Sequence, residues 1–548
     1  MSDKKHSIAP FKLRFILILI LVIITLGFFG TILAVKIKNP FRVSIYNYES
    51  YLSPKVINKL KQKYTYNTFS SVTEFTKAIN SQKAVAGIGS DYQLTELLLE
   101  GKIKKINFSK IYDKTDKNSI YSHYSIAVRK HLDKFESFII NKVKELNPEN
   151  KIEKNRKGKI IKPYLYFKND DPKQEVLGFE VDSKEGIDHF YEFLIPYFLQ
   201  DKLVVYNINK KSHPNIKDVD KISFKKDATW LEIIKTLTSK HGYKNIAWTN
   251  SYLDNAMIGQ FYASEEKIKN YLVGTPEHEK LESLTLNNYQ EIYDYFIKFV
   301  KEASGYSIKD TSRNRLISDG LTLVNEIIEP IPTKNDVSVM YNGDALDAYY
   351  ASDNFESLTD VQIKYVRPKN NYFLLDAWII SQGTDDEESD ELLEFLNKES
   401  MLGQQFSEEE LEQKYLQNVA NEIEKNSGIP KQEILKNLFK NSSLKTPKKV
   451  HEIDVSFWKE NYNSFMDSFD FIPAIANFNA INYTPAYIDI NKFLKNYYFK
   501  DENKNDDEEA MNIFDVEKST WINHQIYQPL DLKLRTAISD YYYELTKS

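Results

Sequence analysis

Three short stretches bring carboxylates and aromatic rings to the ends of apolar segments. In VSIYNYESYLSP, Val43 and Ile45 start the pattern of a buried strand, and Tyr46, Tyr48, Glu49 and Tyr51 then crowd into six residues. In VSVMYNGDALDAYYAS, Val337 to Met340 read as a strand whose exit, Tyr341, Asn342, Gly343 and Asp344, turns into a helix through Ala345 and Ala348. In NNYFLLDAWIIS, Asp376 interrupts an apolar run from Phe373 to Ile380. A carboxylate inside such a run must find a partner or be neutralised, because an isolated buried charge costs several kcal/mol. Either it forms a structural ion pair with a Lys or Arg of the chain, or it is an acceptor for a cationic ligand. The tyrosines carry the same ambiguity. In a chain that is 14% aromatic with 37 Tyr, some cluster as ordinary core aromatics.

The elements that must deliver these groups alternate between strand-like and helix-like patterns, which points to α/β architecture. AVAGIGSDYQLTELLLEGKIKKI shows the unit. Ala84 to Ile88 read as a short apolar strand, Ser90 or Asp91 as a helix N-cap, and Leu94, Leu97 and Leu98 as one helical face ended by Gly101. The turn between them opens at the carboxyl end of a strand, where open α/β sheets place ligands. Gly87 and Gly89 do not extend to a dinucleotide fingerprint, since Tyr92 stands at the third glycine position and no Walker lysine is near. Further along, SEEELEQKYLQNVANEIEKNSGIP carries a capping box, Ser407 with Glu410, and a stop at Gly428 and Pro430, with a second helix following in PKQEILKNLFKN. The basic KNRKGKIIKP, Lys154 to Pro163, reads as a solvated hairpin.

Composition sets the class. The 548 residues exceed a usual domain two- or threefold, and a net charge of −5 with both signs dispersed offers no basic stripe for nucleic acid. The absence of cysteine removes disulfides, thiolate chemistry and the lipid-modified Cys of a bacterial lipoprotein. The nine His contain no His-x-x-x-His pair, and no nucleophile elbow or paired-carboxylate spacing stands out, so neither an enzyme, a metal site nor a cofactor is expected. Phe15 to Val35 is 21 residues without a charge, long enough to cross a hydrocarbon core of roughly 30 Å. Leu33 and Val35 around Ala34 fit a cleavage site poorly, so an uncleaved anchor is expected: residues 1–14 cytoplasmic, 15–35 transmembrane, and the rest extracytoplasmic at the cell membrane, a single pass.

In their order, seven stretches resemble the spermidine/putrescine-binding proteins of bacterial polyamine ABC transporters. They are IYNYESYLSP, GIGSDYQLTELLLEGKIKKIN, LIPYFLQDKLVVYN, VSVMYNGDA, YFLLDAWII, INYTPAY and YQPLDLKLRTAISDYYYELTK. The resemblance implies an α/β, two-lobed, periplasmic-binding-protein-like fold of type II behind the N-terminal helix. The first lobe is expected at 41–207 and 376–493, with insertions near 113–189 and 385–464, and the second at 208–375 and 494–548.

The same resemblance implies a ligand box. Tyr48 and Tyr341 fall where the family has Trp, Tyr51 on its Tyr, and Ser90 and Tyr92 on its Ser-x-Tyr pair. Asp254 stands for its Glu, Asp376 for its Asp, and Tyr483 and Gln528 for a cleft Tyr and Gln. Ser251 stands where the family's paired acidic motif has Asp, and Leu374 where it has a Trp beside the later Asp. One carboxylate and one aromatic face are thereby lost, and Asp344 is placed to replace the charge. Separated carboxylates with aromatic faces between them suit a polyamine, a hydrocarbon with an ammonium at each end. The expected partners are thus a polyamine or related small cation, the permease and ATPase of an ABC transporter, and the membrane. The alternative is a surface protein that keeps the receptor fold, has lost transport, and serves adhesion or assembly.

Overall fold

The computed structural model describes residues 43–547 except 70–71, 157, 182–185, 276–277, 332–333, 439–452 and 519–520, and, further upstream, residues 15 and 21–27. The expected span Phe15 to Val35 falls largely outside the described residues. Among those described, no helix is long and apolar enough to cross a membrane.

Sixteen strands are described, and most fall into two sheets. The first sheet uses β1 (Ser44–Tyr48), β2 (Thr65–Phe69), β3 (Ala84–Ser90), β6 (Ile195–Gln200), β14 (Asn370–Ile380), β15 (Thr484–Pro485) and β16 (Asn523–Ile526). Its order is β15-β6-β14-β3-β1-β2, with β16 beside β14. The second uses β7 (Lys202–Asn207), β8 (Ile246–Thr249), β11 (Asn314–Ile317), β12 (Val337–Tyr341) and β13 (Ile363–Val366), in the order β11-β8-β12-β7-β13. Two hairpins, β4 (Tyr164–Phe167) with β5 (Val176–Glu180) and β9 (Leu272–Val273) with β10 (Lys280–Leu281), complete the set.

Two buried clusters form, the first spanning the first sheet and one face of the second, where Leu203, Val205, Met340 and Ile363 join it, and the other packing the opposite face of the second sheet. Ile45, Ile88, Leu97, Ile195 and Leu375 lie in one, and Trp230, Trp248, Phe261, Phe296 and Tyr372 in the other. All of them are nearly inaccessible to water, which is where the apolar strand patterns drive them. β3 is almost wholly buried, and Gly87 is required there because a Cβ would strike the Tyr46 carbonyl of β1 and the Phe75 ring. This glycine serves the packing of β3 on β1 and on Phe75.

The chain crosses between the sheets at Asp201, which separates β6 from β7, and again between β13 and β14. The first half of β14, Asn370 to Phe373, pairs with β16, and the second half, from Leu374, pairs with β6 and from Asp376 with β3. β7 lies in the second sheet because it pairs with β12 and β13 over its length. The sequence reading had placed Lys202–Asn207 before the crossing. Ala510, Ile513 and Phe514 are buried in the same cluster as Ala345 and Leu346 of the helix Asn342–Tyr349.

The crossing is pinned by ions. Buried Asp201 receives Arg367 Nε at 2.6 Å and Nη2 at 3.1 Å, and His524 Nε2 lies 3.1 Å from it. The His524 ring stacks on Phe373 at 3.6 Å. Burial alone raises the Asp201 pKa, but Arg367 and His524 outweigh it and hold the carboxyl below its ordinary value.

The two stretches expected to be insertions, near 113–189 and 385–464, carry the following elements. The helix Ile126–Leu146 and the β4-β5 hairpin belong to the first, and the helices Asp386–Glu399, Glu408–Ser427 and Lys431–Leu438 to the second. Glu408–Ser427 starts on the Ser407/Glu410 capping box and stops at Gly428, as its sequence predicts.

Candidate functional site

β1 and β3 run parallel in the first sheet, and β14 lies antiparallel to β3 with Asp376 opposite Ser90. That register brings the carboxyl ends of β1 and β3 to the one carboxylate of the β14 apolar run. Asp376 is 2% exposed. Its Oδ1 accepts from Ser90 Oγ at 2.7 Å, and its Oδ2 accepts from the Tyr51 hydroxyl and the Gln200 amide. Tyr48 Oη lies 2.8 Å from Ser90 Oγ. Ser90 caps the helix Asp91–Leu99 in position only: its side chain makes no capping bond, being committed to Asp376.

All three donors to Asp376 are neutral, and no basic side chain among the described residues bonds to it. Burial is the largest influence on this carboxyl and the hydrogen bonds only partly offset it, so its pKa is raised from 3.8 to about 6. A wall of rings encloses the group. The Tyr51 ring lies 5.2 Å from Tyr48, 5.9 Å from Phe198 and 5.8 Å from Tyr483. Tyr48 and Tyr483 are half-buried.

A second carboxylate sits across the crossing. The helix Tyr252–Glu265 begins on Ser251, whose Oγ accepts from the Asp254 amide at 3.3 Å, so Ser251 is a cap. Asp254 accepts from Tyr527 Oη at 2.6 Å and from Tyr341 Oη at 3.2 Å. It is also ion-paired with Lys202 Nζ at 2.9 Å, the two side chains being 3% and 0% exposed. The same ammonium donates to Thr249 Oγ1 and lies 3.6 Å from the centre of the Tyr341 ring. Burial pulls the Lys202 pKa below its ordinary value, against the pull of Asp254.

Asp344 completes the group. It lies in the first turn of the helix Asn342–Tyr349, half-buried, and accepts from Tyr483 Oη at 2.8 Å. Burial raises its pKa from 3.8 to about 6, with Tyr483 and Lys202 acting in the opposite direction. Gly343 is needed beside it because a Cβ there would run into the Tyr483 ring. Tyr92 stands half-buried 5.5 Å from the Tyr527 ring.

Tyr48, Tyr51, Ser90 and Asp376 therefore form one cluster, Tyr341 and Asp254 another, and Tyr483, whose ring lies 5.8 Å from Tyr51, bonds Asp344. Ser251 acts on the second cluster through the helix start. Gln528 stands apart: its carbonyl accepts from the Leu284 amide at 2.7 Å and its amide meets Ser283. The C-terminal residue that reaches a carboxylate is its neighbour Tyr527. Sequence reading missed Gln200, Lys202, Thr249 and Tyr527. Lys202 carried a signal, since it opens the apolar run Leu203 to Val205 as a charge, the pattern that drew attention to Asp376.

Among the described residues no group of three His, Asp or Glu is arranged to hold a metal ion. The arrangement offers buried carboxylates with hydroxyl donors and aromatic faces, which is chemistry for binding an ammonium.

A family model described as hypothetical lipoprotein (MG045 family) matches residues 11–548. No curated protein matches the sequence. Among solved structures, the chain is similar to a putative spermidine/putrescine ABC transporter from Listeria monocytogenes, at 12% identity and TM-score 0.45, covering 92% of this chain and 98% of that one. It is also similar to the spermidine/putrescine ABC transporter substrate-binding protein of Streptococcus pneumoniae in complex with calcium and HEPES, at 13% identity and TM-score 0.42, covering 92% and 98%. A eukaryotic thiaminase-I bound to 3-deazathiamin is similar at 8% identity and TM-score 0.41, covering 92% and 100%.

Proposed function

We propose that this chain, which belongs to the MG045 family of hypothetical lipoproteins, is an extracytoplasmic solute-binding protein. It captures an organic amine, a polyamine such as putrescine or spermidine, between its lobes and delivers it to the permease and ATPase of an ABC transporter. The observation that carries this reading is Asp376, a buried carboxylate with three neutral donors beneath half-buried tyrosine rings. A carboxylate offers roughly four lone-pair directions, and three are used. One remains on Oδ1 for an ammonium, and an ammonium supplies the positive charge that the protein's own contacts do not.

The cleft is built to sense a ligand through both lobes. Tyr483 of the first lobe bonds Asp344 of the second, and Tyr92 faces Tyr527. A ligand touching both sides shifts the balance between open and closed clefts by its differential affinity for the two. Attachment to the membrane falls to the uncharged stretch Phe15 to Val35, because a chain without cysteine has no sulfur for a diacylglycerol thioether.

Calorimetry and thermal stabilisation of the detergent-solubilised full chain against putrescine, spermidine, spermine and n-butylamine test this function. Saturable heat with at least one amine supports it. No heat and no thermal shift with any of the four overturns it.

A further inference from the structure

The molecule holds two ammonium stations of the same chemical make. At Asp376 a carboxylate is served by the hydroxyls of Ser90 and Tyr51, with tyrosine rings around it. At Asp254 a carboxylate is served by the hydroxyls of Tyr341 and Tyr527, with the Tyr341 face beside it. The difference lies in the two residues that flank Asp201 where the chain crosses. Gln200 reaches Asp376 as a neutral amide, and Lys202 reaches Asp254 as an ammonium. Residues two apart on an extended segment point the same way, and Asp201 between them points to Arg367 and His524 instead. One continuous segment therefore presents a neutral group to one carboxylate and a cation to the other.

We infer that Lys202 is a resident cation that occupies the Asp254 station and sets the charge number of the ligand, so that the cleft selects a diamine over a triamine. This rests on the function proposed above. Three carboxylates belong to the two clusters and the contact between them, Asp254, Asp344 and Asp376, and Lys202 pairs with one. Two negative groups remain, separated by the Tyr483 ring, whose hydroxyl bonds Asp344 and whose face lies 5.8 Å from Tyr51. A short dication with an ammonium at each end and a hydrocarbon middle matches that pair. A third ammonium finds Lys202 already in place, and like charges in a desolvated cleft repel.

Affinities of the full chain for putrescine and spermidine, compared in the native sequence and in Lys202→Met, decide the matter. The native protein should bind putrescine at least about tenfold more tightly than spermidine, and Lys202→Met should shrink or reverse that ratio. A ratio is read because general loss of stability affects both ligands alike. Asp344→Asn, which alters a half-buried group, is the second variant. Removing one of the two remaining negative groups should move the preference from putrescine toward n-butylamine by a similar factor. Spermidine binding as tightly as putrescine in the native chain, or ratios unmoved in the variants, overturns the inference and leaves the amine-binding function standing. Absence of binding to every amine overturns both.

Discussion

Replacing Asp376 by Asn separates a ligand acceptor from a structural ion partner by sign. The carboxyl has no basic partner, and burial raises its pKa from 3.8 to about 6. A raised folded-state pKa in a carboxylic acid means that the folded protein favours the protonated form. The associated stability is fully present below the unfolded pKa and is lost as pH rises through about 6. Roughly 2 units correspond to ~3 kcal/mol, so the ionised group costs the ligand-free fold that order of energy at pH 7.5. Asn removes the charge and keeps the shape. Its carbonyl can accept from Tyr51 and Gln200, while Ser90, already 2.8 Å from Tyr48, turns to accept from the new amide. Weaker neutral hydrogen bonds return about 1 kcal/mol of the gain. The variant should therefore be more stable than the native chain by ~1–2 kcal/mol at pH 7.5 without ligand, and no more stable at pH 5. Amine affinity should fall by roughly 2–5 kcal/mol, about 30-fold to several thousandfold. In the native protein, affinity should weaken as pH falls through about 6, where Asp376 protonates. Denaturant unfolding at the two pH values and calorimetry with putrescine read these effects. A loss of ~3–5 kcal/mol at pH 7.5 with affinity unchanged is the signature of a broken structural ion pair and would refute the reasoning.

Gly343→Ala places a methyl in the Tyr483 ring and must turn that ring away from Asp344. The helix itself gains from alanine, so circular dichroism and melting temperature should hold while amine affinity drops about tenfold, the worth of one cleft hydrogen bond; unchanged calorimetry would show that Tyr483 does not meet the ligand. Exchange of Met1 to Lys38 for a cleavable export signal should release soluble protein with unaltered affinity, since every residue of the candidate site lies at or beyond Tyr48. Loss of binding on release would show that the N-terminal segment shapes the cleft.

Local pattern carried much of the fold. The alternation in Val337 to Met340, the apolar run around Asp376 and the capping box at Ser407 are each decided within a few residues, and the strands and helices form there. Asp376 was visible for the same reason, because a charge in an apolar run is a local conflict, whereas Asp254 was reached only through the family resemblance. Lobe boundaries were harder. Whether Lys202–Asn207 belongs to one sheet or the other depends on β12 and β13, more than 100 residues away, and no nearby residue reports that pairing. Tyr527 was also obscured. The family resemblance points to its neighbour Gln528, and adjacent side chains of an extended segment face opposite sides. The pairing of Lys202 with Asp254 joins residues on separate strands and helices, so sequence could flag each charge and not their meeting.

The ionic pin at Asp201 bears on how the protein comes to exist in time. Arg367 stands 166 residues and His524 323 residues from Asp201, and Tyr527 closes on Asp254 over 273. Contacts so distant along the chain form late, because the long loops between them must be ordered first. A nascent chain that has emerged only as far as the helical insertion already contains Asp376, Ser90, Gln200, Lys202 and Asp254. It lacks β16, the imidazole that grips Asp201 and the phenol that grips Asp254. Until those arrive, Asp201 at the crossing has Arg367 alone, and the buried Lys202–Asp254 pair lacks one of its walls. The segment that carries His524 and Tyr527 thus acts as the latch on the whole assembly, and a chain released before Asn523 is made is left with its crossing held by Arg367 alone.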